Sequence, residues 1–581
     1  MILLYLLSLI LAVGATSTQC RCRPHESCWP SEEDWVSFNK SINGHLIRLR
    51  PVGAVCHGDE YNEEACADVQ NNTSSSSWRA AEPGALESTN WEASGEDTPD
   101  CDVAAPRDSP CRQGRIPLYA ALAESAEEIQ AAVRFAKRQN LRVAVTNTGH
   151  GGVGVSAASD SLQINTSRLR RIETVEEFVP AGGTEVVGRV VTMGAGVLTE
   201  ELARAAADEG FTVIMGLCDT IGIAGGYIQG GGVGLLGSAF GMGSDNAVEF
   251  NVVTADGDLV VANESTNEDL FWALRGGGGG TFGIAVNTTV RALPDIKGTV
   301  FRVSAVLPQP NSDPGPDPQS VIFDITRQIV AAFPKIKNAD AEGTASAFVL
   351  ATIGLDGSFI VQSEIVFPAV DPLPADQQEE LNKLTTALEN LGYGDAYTTT
   401  LTAYPHLSQY LRNVGPVPPY GRIEGSVLYS EELYHSADGA NLILDIVFDH
   451  TYGPGDILEF FMTGGGQLRA NKDLIDSALN PTWRDVGLYV SARRALASSD
   501  ASKRFGENNP MVALREIERP SLGSYYNVAD LEEPDWPGAF WGDNYERLYQ
   551  VKQEWDEDGL FVVNLGVGSE DWDEENMCRV D

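Results

Sequence analysis

Two side chains combine reactivity with glycine-rich surroundings. His150 lies in Thr146-Asn-Thr-Gly-His-Gly-Gly-Val-Gly154, and Cys218 lies in Gly216-Leu-Cys-Asp-Thr-Ile-Gly-Ile-Ala-Gly-Gly226. A third glycine run spans Gly276 to Gly280. Bare backbone N–H groups in such turns can line a long anionic cofactor with no side chains in the way. An imidazole and a thiol at two backbone-rich edges of one cavity could hold that cofactor from both sides. The alternative is structural: His150 hydrogen-bonds a turn and Cys218 packs. Spacing alone does not choose.

Cysteine parity singles out the same thiol. Of nine cysteines, Cys20, Cys22, Cys28, Cys56, Cys66, Cys101 and Cys111 lie in the first fifth of the chain and Cys578 near its end. These eight can form four disulfides, with a pairing that spacing leaves open. Cys218 is the odd one. Other motifs carry less. Gly232-Val-Gly234-Leu-Leu-Gly237 spells the dinucleotide fingerprint and Gly152-Val-Gly154-Val-Ser-Ala157 nearly does. A dinucleotide site needs a strand before and a helix after, and neither stretch has that context. There is no G-x-x-x-x-G-K-[ST] phosphate loop and no H-E-x-x-H, and no metal is expected.

The elements that must position these residues alternate. The stretch Pro117 to Ala123 reads as a strand, and Ser125-Ala-Glu-Glu128 as a capping box opening an amphipathic helix. Arg142 to Thr146 then forms a strand that delivers the His150 turn. A helix near 199–209 leads to a strand over Phe211–Met215 and the Cys218 turn. A hairpin turns at Asp256-Gly257. Asn267 can cap the short helix before the third glycine run, which feeds the alternating strand Phe282–Val290. This is one α+β domain over 113–294. Residues 295–510 carry long strands, two of them joined at Asp356-Gly357, and amphipathic helices near 319–333 and 377–391. They form a strand-rich second domain. Residues 511–581 are an aromatic, acidic tail, and 18–112 a Cys-rich leader.

Composition bounds the partners and the compartment. Forty Lys and Arg stand against 82 Asp and Glu, a net charge of −42. Such a surface repels phosphate backbones and anionic lipid, which argues against nucleic acid or membrane partners and serves solubility. Residues 2–15 form an apolar run ending in small residues, which reads as a secretory signal over 1–17. The cysteines fit an oxidising compartment. Sequons at Asn39, Asn71, Asn72, Asn165, Asn263 and Asn287 fit a secreted glycoprotein, although the last three sit in strand-like sequence.

Four motifs taken in order carry a family resemblance: TNTGHGGVG, GLCDTIGIAGGYIQGGG, ALRGGGGGTFGI, and YYNVADLEEPDW followed by FWGDNYERLYQVK and DGLF. Together they resemble the berberine bridge enzyme-like oxidoreductases, within the vanillyl-alcohol oxidase type of FAD-binding fold. The leader pattern CRC…CWPSEEDW…CH…C is similar to the fungal secreted branch of that family. The resemblance covers nearly the whole mature chain. It implies a two-subdomain PCMH-type FAD-binding domain and a substrate domain whose antiparallel sheet is covered by helices, with the tail returning to the FAD domain. It also implies a flavin attached twice, at its 8α-methyl to His150 and at its six-position to Cys218. Asn147, Thr148, Gly149, Gly151, Gly152, Thr220, Gly222, Gly225, Gly226, Ile284 and Asn527 would complete the cofactor site.

Two departures bear on catalysis. Relatives commonly carry Asp after the linking His, where this chain has Gly151. Some relatives also carry a catalytic Tyr at the position of Val528. Tyr525 is then the first candidate base and Tyr526 the second, with packing under the flavin as the alternative for both. A phenol is a poor base at its ordinary pKa of about 10 and needs a positive field or a water relay. The position three after the linking Cys borders the oxygen path in this family, with Val in members that react fast; here it is Ile221. The expectation is a secreted, monomeric FAD-linked oxidoreductase. It oxidises an alcohol or a secondary-metabolite intermediate by hydride transfer, with O2 as acceptor. Two alternatives are an oxidative cyclase of secondary metabolism and a redox-inactive glycoprotein that keeps the fold.

Overall fold

The computed structural model describes residues 20–93, 101–309, 316–339, 343–413, 415, 417–496, 505 and 509–580. The expected signal segment lies outside them. Four sheets organise the chain. The first holds β1 (Leu46–Arg48), β2 (Tyr119–Leu122), β3 (Arg142–Thr146) and β4 (Ser161–Asn165) in the order β1-β2-β4-β3. The pairs β2–β4 and β3–β4 are parallel, and β1 adds antiparallel at the edge. The helix Ala126–Arg138 covers this sheet with Ile129, Val133 and Ala136, all fully buried.

The second sheet is antiparallel. It holds β5 (Ile172–Val175), β6 (Val190–Gly194), β8 (Ala247–Val253), β9 (Leu259–Asn263) and β10 (Ile284–Arg291), in the order β5-β6-β10-β8-β9. A short pair, β7 (Phe211–Thr212) with β11 (Leu293–Pro294), ties the end of this region to the helix Thr199–Glu209. The β8–β9 hairpin turns at Gly257, whose φ of 78° explains the glycine.

The third architecture is a seven-stranded antiparallel sheet of β12 (Gly298–Leu307), β13 (Ser346–Ile353), β14 (Phe359–Pro368), β15 (Thr398–Tyr404), β16 (Arg422–Ser430), β17 (Ile457–Met462) and β18 (Val486–Ala495). Its order is β15-β12-β14-β13-β17-β18-β16. Alternation of side chains splits its two faces. On β13, Ala347, Val349 and Ala351 are buried in a core shared with Ile322, Ile325 and Ile329 of the helix Pro318–Asn338. Phe348, Leu350 and Thr352 point the other way and line a cavity. Helices Ala375–Asn390 and Gly439–Phe448 join the covered face.

Several local expectations need correction. The Ser125 hydroxyl accepts from Glu128 N at 3.3 Å, but the Glu128 carboxylate turns instead to Glu124 N, Asn43 and His45, so only half the capping box forms. Asn267 sits at the helix start with φ 49° and makes no cap bond; its amide donates to Val261 O at 2.7 Å. The strand over Phe211–Met215 shrinks to two residues because only β11 is there to pair with it. Asn165 and Asn263 are 2% and 0% exposed, so neither is open to glycosylation in the folded protein.

Four disulfides pair Cys20–Cys578, Cys22–Cys28, Cys56–Cys66 and Cys101–Cys111, and Cys218 is free and buried. The tail packs on the third glycine run. Trp541 Nε1 donates to Gly276 O at 2.9 Å, and Lys552 Nζ to Thr281 O at 2.8 Å and Phe561 O at 2.7 Å. Among the described residues, no helix is long and apolar enough to cross a membrane.

Candidate active site

A cavity of about 640 Å³ lies between the glycine-rich turns and the open face of the seven-stranded sheet. Strand β3 ends at Thr146 and throws the His150 turn into its wall. The left-handed φ of 77° at Gly149 allows the turn, and a Cβ there would strike the Leu86 backbone. The Cys218 turn follows Met215 and runs into Ile223–Tyr227, a wide helical turn whose Gly225 and Gly226 present bare backbone. A Cβ on Gly226 would meet nothing within 4 Å, so that backbone opens on the cavity.

The imidazole and the thiol converge. His150 Nε2 lies 2.8 Å from Thr220 Oγ1, and Cys218 Sγ lies 3.5 Å from the same oxygen. Thr220 stands behind both, 0% exposed, with Ser76 Oγ at 2.7 Å. Burial, helped by the charges of Arg422 and Arg493, pushes the His150 pKa down to about 3, so the ring is neutral at any ordinary pH. Burial raises the Cys218 thiol, against hydrogen bonds from Thr220.

The remaining candidates surround this pair. Asn147, Thr148, Gly151, Gly152, Gly222, Ile284 and Asn527 line the cavity. Asn147 donates to Ala195 O and leaves its Oδ1 buried with no partner among the described residues, an acceptor available to a ligand. Asn527 Nδ2 donates to Gly226 O at 3.2 Å and to the Tyr525 hydroxyl at 3.0 Å, joining the tail to the Cys218 turn. Tyr525 OH also receives Val233 N at 3.4 Å. Burial raises its pKa, while these donors act against the rise. Tyr526 differs: its ring packs against Phe540 and Trp541, and its hydroxyl is buried with no partner among the described residues.

The sheet contributes a charged wall that no motif announced. Glu424 Oε2 accepts from Arg422 Nε at 3.1 Å and from Arg493 Nε at 3.0 Å. Arg493 also donates to Glu459 Oε1 at 2.7 Å, and Ser491 to Glu459 Oε2 at 2.8 Å. Glu424 Oε1 occupies the place where a Cβ of Gly152 would stand, so the glycine two residues after His150 makes room for a carboxylate. Tyr420 completes the wall. Burial pushes its pKa up to about 12, although both arginines pull it down. The positive field that a phenol needs therefore lies at Tyr420 rather than at Tyr525. The leader forms a third wall: Trp91 Nε1 donates to Gly152 O at 2.7 Å, and Glu87 lines the cavity.

Comparison with known proteins fits this geometry. Residues 117–263 match the FAD binding domain family and residues 524–568 the family described as berberine and berberine like. The chain is 45% identical to the flavin-dependent oxygenase ucdF of Aspergillus ustus over 547 residues, 94% of this chain and 98% of that one. It is 39% identical to the FAD-linked oxidoreductase malF of Malbranchea aurantiaca, covering 98% of this chain and 96% of that one. A VAO-type flavoprotein of Myceliophthora thermophila C1 superposes with a TM-score of 0.80 at 26% identity, covering 97% of this chain and all of that chain. Berberine bridge enzyme from Eschscholzia californica shares the fold with a TM-score of 0.56 at 19% identity, covering 80% of this chain and 91% of that chain. The chain thus belongs to the berberine bridge enzyme-like branch of the VAO-type flavoproteins. It is an FAD-linked oxidoreductase with an α+β fold.

Proposed function

We propose that the protein is a secreted oxidase of a small alcohol or secondary-metabolite intermediate, with FAD tethered at both His150 and Cys218 and O2 as the terminal acceptor. The observation that carries this is the convergence of a neutral imidazole and a lone thiol on the Thr220 hydroxyl at the edge of one cavity. Parity leaves Cys218 without a disulfide partner, and its thiol meets the His150 ring at one hydroxyl although the two come from separate turns. The turns fit the group, with exposed glycine backbone at Gly225 and Gly226 and the orphaned Asn147 Oδ1 facing the same space. Four disulfides support the secretory assignment.

FAD supplies a two-electron acceptor for substrate hydride. The chain supplies orientation and proton transfer. A phenol whose lone pairs receive two N–H groups keeps its own proton free, so Tyr525 donates into the cavity toward a substrate oxygen. The Glu424 carboxylate, with Oε2 held by two guanidinium groups and Oε1 against the His150 turn, accepts the substrate proton. Glu424→Gln should lower kcat by about 10²–10⁴ with the fold intact. The test of the tether is acid precipitation. His150→Ala and Cys218→Ala should each retain yellow protein, and the double variant should release its flavin. A single variant that releases all of it would refute the two-point attachment.

A further inference from the structure

The charged wall is one end of a longer surface. Strand register sets side chains in rows across the seven-stranded sheet. One row on the cavity face runs Glu424, Arg493, Ile457, Thr352, Ile360 and Val306, across β16, β18, β17, β13, β14 and β12. The first five of these line the cavity. Among the cavity-lining residues of the sheet, charge is confined to Arg422, Glu424, Glu459 and Arg493, and these pair with one another. Beyond Arg493 the row is apolar. Thr352 conforms, because its hydroxyl donates to Asp456 O at 2.7 Å and its methyl is what remains for the cavity. Two rows further in, Phe461 lies between Phe348 and Tyr489 with ring centroids 4.6 and 5.4 Å away, so that flank is aromatic.

The row also grades from buried to open. Glu424 is 5% exposed and Val306 63%, with Ile457, Thr352 and Ile360 half-buried between them. Leu355, in the turn between β13 and β14, lines the cavity and is largely exposed, which gives the mouth an apolar rim. Gly455 leaves room for it: a Cβ there would stand 2.9 Å from Leu355 Cδ2. Neighbouring strands lie about 4.8 Å apart, so the row extends about 19 Å from Glu424 to Ile360, and about 10 Å of that separates Ile457 from Ile360. A charged group lying on this stretch would find no partner on the sheet.

We propose that the substrate is an amphiphile, with an oxygenated aromatic head held at Glu424 and an apolar arm lying across Ile457, Thr352 and Ile360 toward Leu355. The inference rests on Glu424 being the base of the oxidation. An extended arm of about eight carbons, with bonds of about 1.5 Å, covers the stretch from Ile457 to Ile360. Arg422 calls for oxygen on the head. Its side chain is 10% exposed and lines the cavity, its Nε is committed to Glu424, and its Nη nitrogens have no hydrogen-bond partner among the described residues. They offer N–H donors to a phenol or carbonyl oxygen beside the base. The arm takes no part in the reaction; it adds affinity and decides which end of the molecule reaches Glu424.

The test titrates the holoenzyme with para-alkoxyphenols from ethyl to dodecyl and reads the change in the flavin's visible absorption. Six methylenes separate ethyl from octyl, and at about 0.8 kcal/mol each their full burial would tighten Kd about 4000-fold. A half-buried lane should give at least about a hundredfold, with no further gain once the arm has passed Leu355. Ile360→Asp sets a charge on the lane and should cut the octyl-to-ethyl affinity ratio by about tenfold or more. Should that variant fail to fold, Leu355→Ser at the exposed rim decides, with a several-fold loss confined to octyl and longer arms. A series that is flat from ethyl to octyl, or that leaves the flavin spectrum unchanged, overturns the arm, as does an affinity ratio the variants do not alter. The oxidase reading then stands or falls on its own tests. Full kcat in Glu424→Gln would instead remove the head from its place, and the amphiphile with it.

Discussion

Removal of the Asp245 carboxylate should destabilise the protein by about 3–5 kcal/mol, the usual effect of breaking a buried ion pair from one side. Arg484 grips it with two parallel bonds, Nη1 to Oδ2 at 2.6 Å and Nη2 to Oδ1 at 2.8 Å, and the side chains are 5% and 1% exposed. Asn471 Nδ2 and Met242 N donate to the same Oδ2, at 2.9 and 3.0 Å. Asp245→Ala would leave a buried guanidinium and two buried N–H donors without acceptors, and orphaned neutral donors alone cost about 1–3 kcal/mol each. The losses share one carboxylate and do not add, so the pair figure is the working magnitude. The effect should reach the site. Ser244 N and Gly243 N bond Gly231 O and Gly232 O, and the neighbouring Val233 N holds the Tyr525 hydroxyl. Urea denaturation of wild type, Asp245→Leu, Arg484→Met and Asp245→Leu/Arg484→Met completes a cycle, with Asp245→Ala measured beside it. The double variant should recover at least half the loss, because an apolar pair leaves no charge stranded. A loss below about 1 kcal/mol in Asp245→Ala, or a double variant equal to the sum of the singles, would show that this pair does not hold the loop.

Three further outcomes follow from the cavity walls. The folded-state pKa of Glu87, raised to about 7 from 4.5, favours its protonated form, so the associated stability is present below about pH 4.5 and lost as pH rises through 7. The loss is roughly 3 kcal/mol at about 1.4 kcal/mol per unit, and Glu87→Gln should show a correspondingly smaller fall in denaturation free energy between pH 4.5 and 8; parallel profiles would contradict the raised pKa. Gly152→Ala places a methyl on Glu424 Oε1; it should destabilise by about 1–3 kcal/mol and lower FAD content, and an unchanged melting profile with full flavin would be the contrary result. Ile221 Cδ1 lies 2.8 Å from the position of a Cβ on Gly216, at the cavity edge, and in a wall packed this closely one methylene can close a path. Ile221→Val should therefore speed flavin reoxidation several-fold after anaerobic reduction and mixing with aerated buffer, whereas equal rates would remove Ile221 as a gate.

What could be read from the residues differs by the range of the interactions involved. His150 and Cys218 were visible because each sits in a contiguous glycine-rich turn, and because cysteine parity isolates one thiol. The β8–β9 hairpin was visible because Asp256-Gly257 demands a particular backbone. Glu424, Glu459, Arg422, Arg493 and Tyr420 were not. They come from alternating positions on three strands and the loop before them, and only the register of those strands puts them on one face. Glu87 and Ser76 were hidden for another reason. The leader reads as a disulfide-bonded preface, yet its residues 76–91 reach the turns that carry His150 and Cys218, through contacts 61 and 144 residues long. Local signals also misled where a tertiary partner competed: Glu128 preferred His45 and Asn43 to its own helix cap, and Asn267 preferred the β9 backbone.

The bond between Cys20 and Cys578 has a bearing on how the molecule is made and how it breaks. Three of the disulfides span six or ten residues and can close as soon as their own segment leaves the ribosome. This one spans 558 and must wait until Cys578 has emerged. Once formed it converts the described chain into a ring. A protease that cuts one exposed loop opens the ring and liberates no fragment, and on a gel without reductant the nicked protein still runs as a single species. Two cuts are needed before any part departs. A chain terminated early would instead display Cys20 as an unpaired thiol, a chemical mark of incompleteness open to thiol-disulfide exchange before the cofactor turns are ever used.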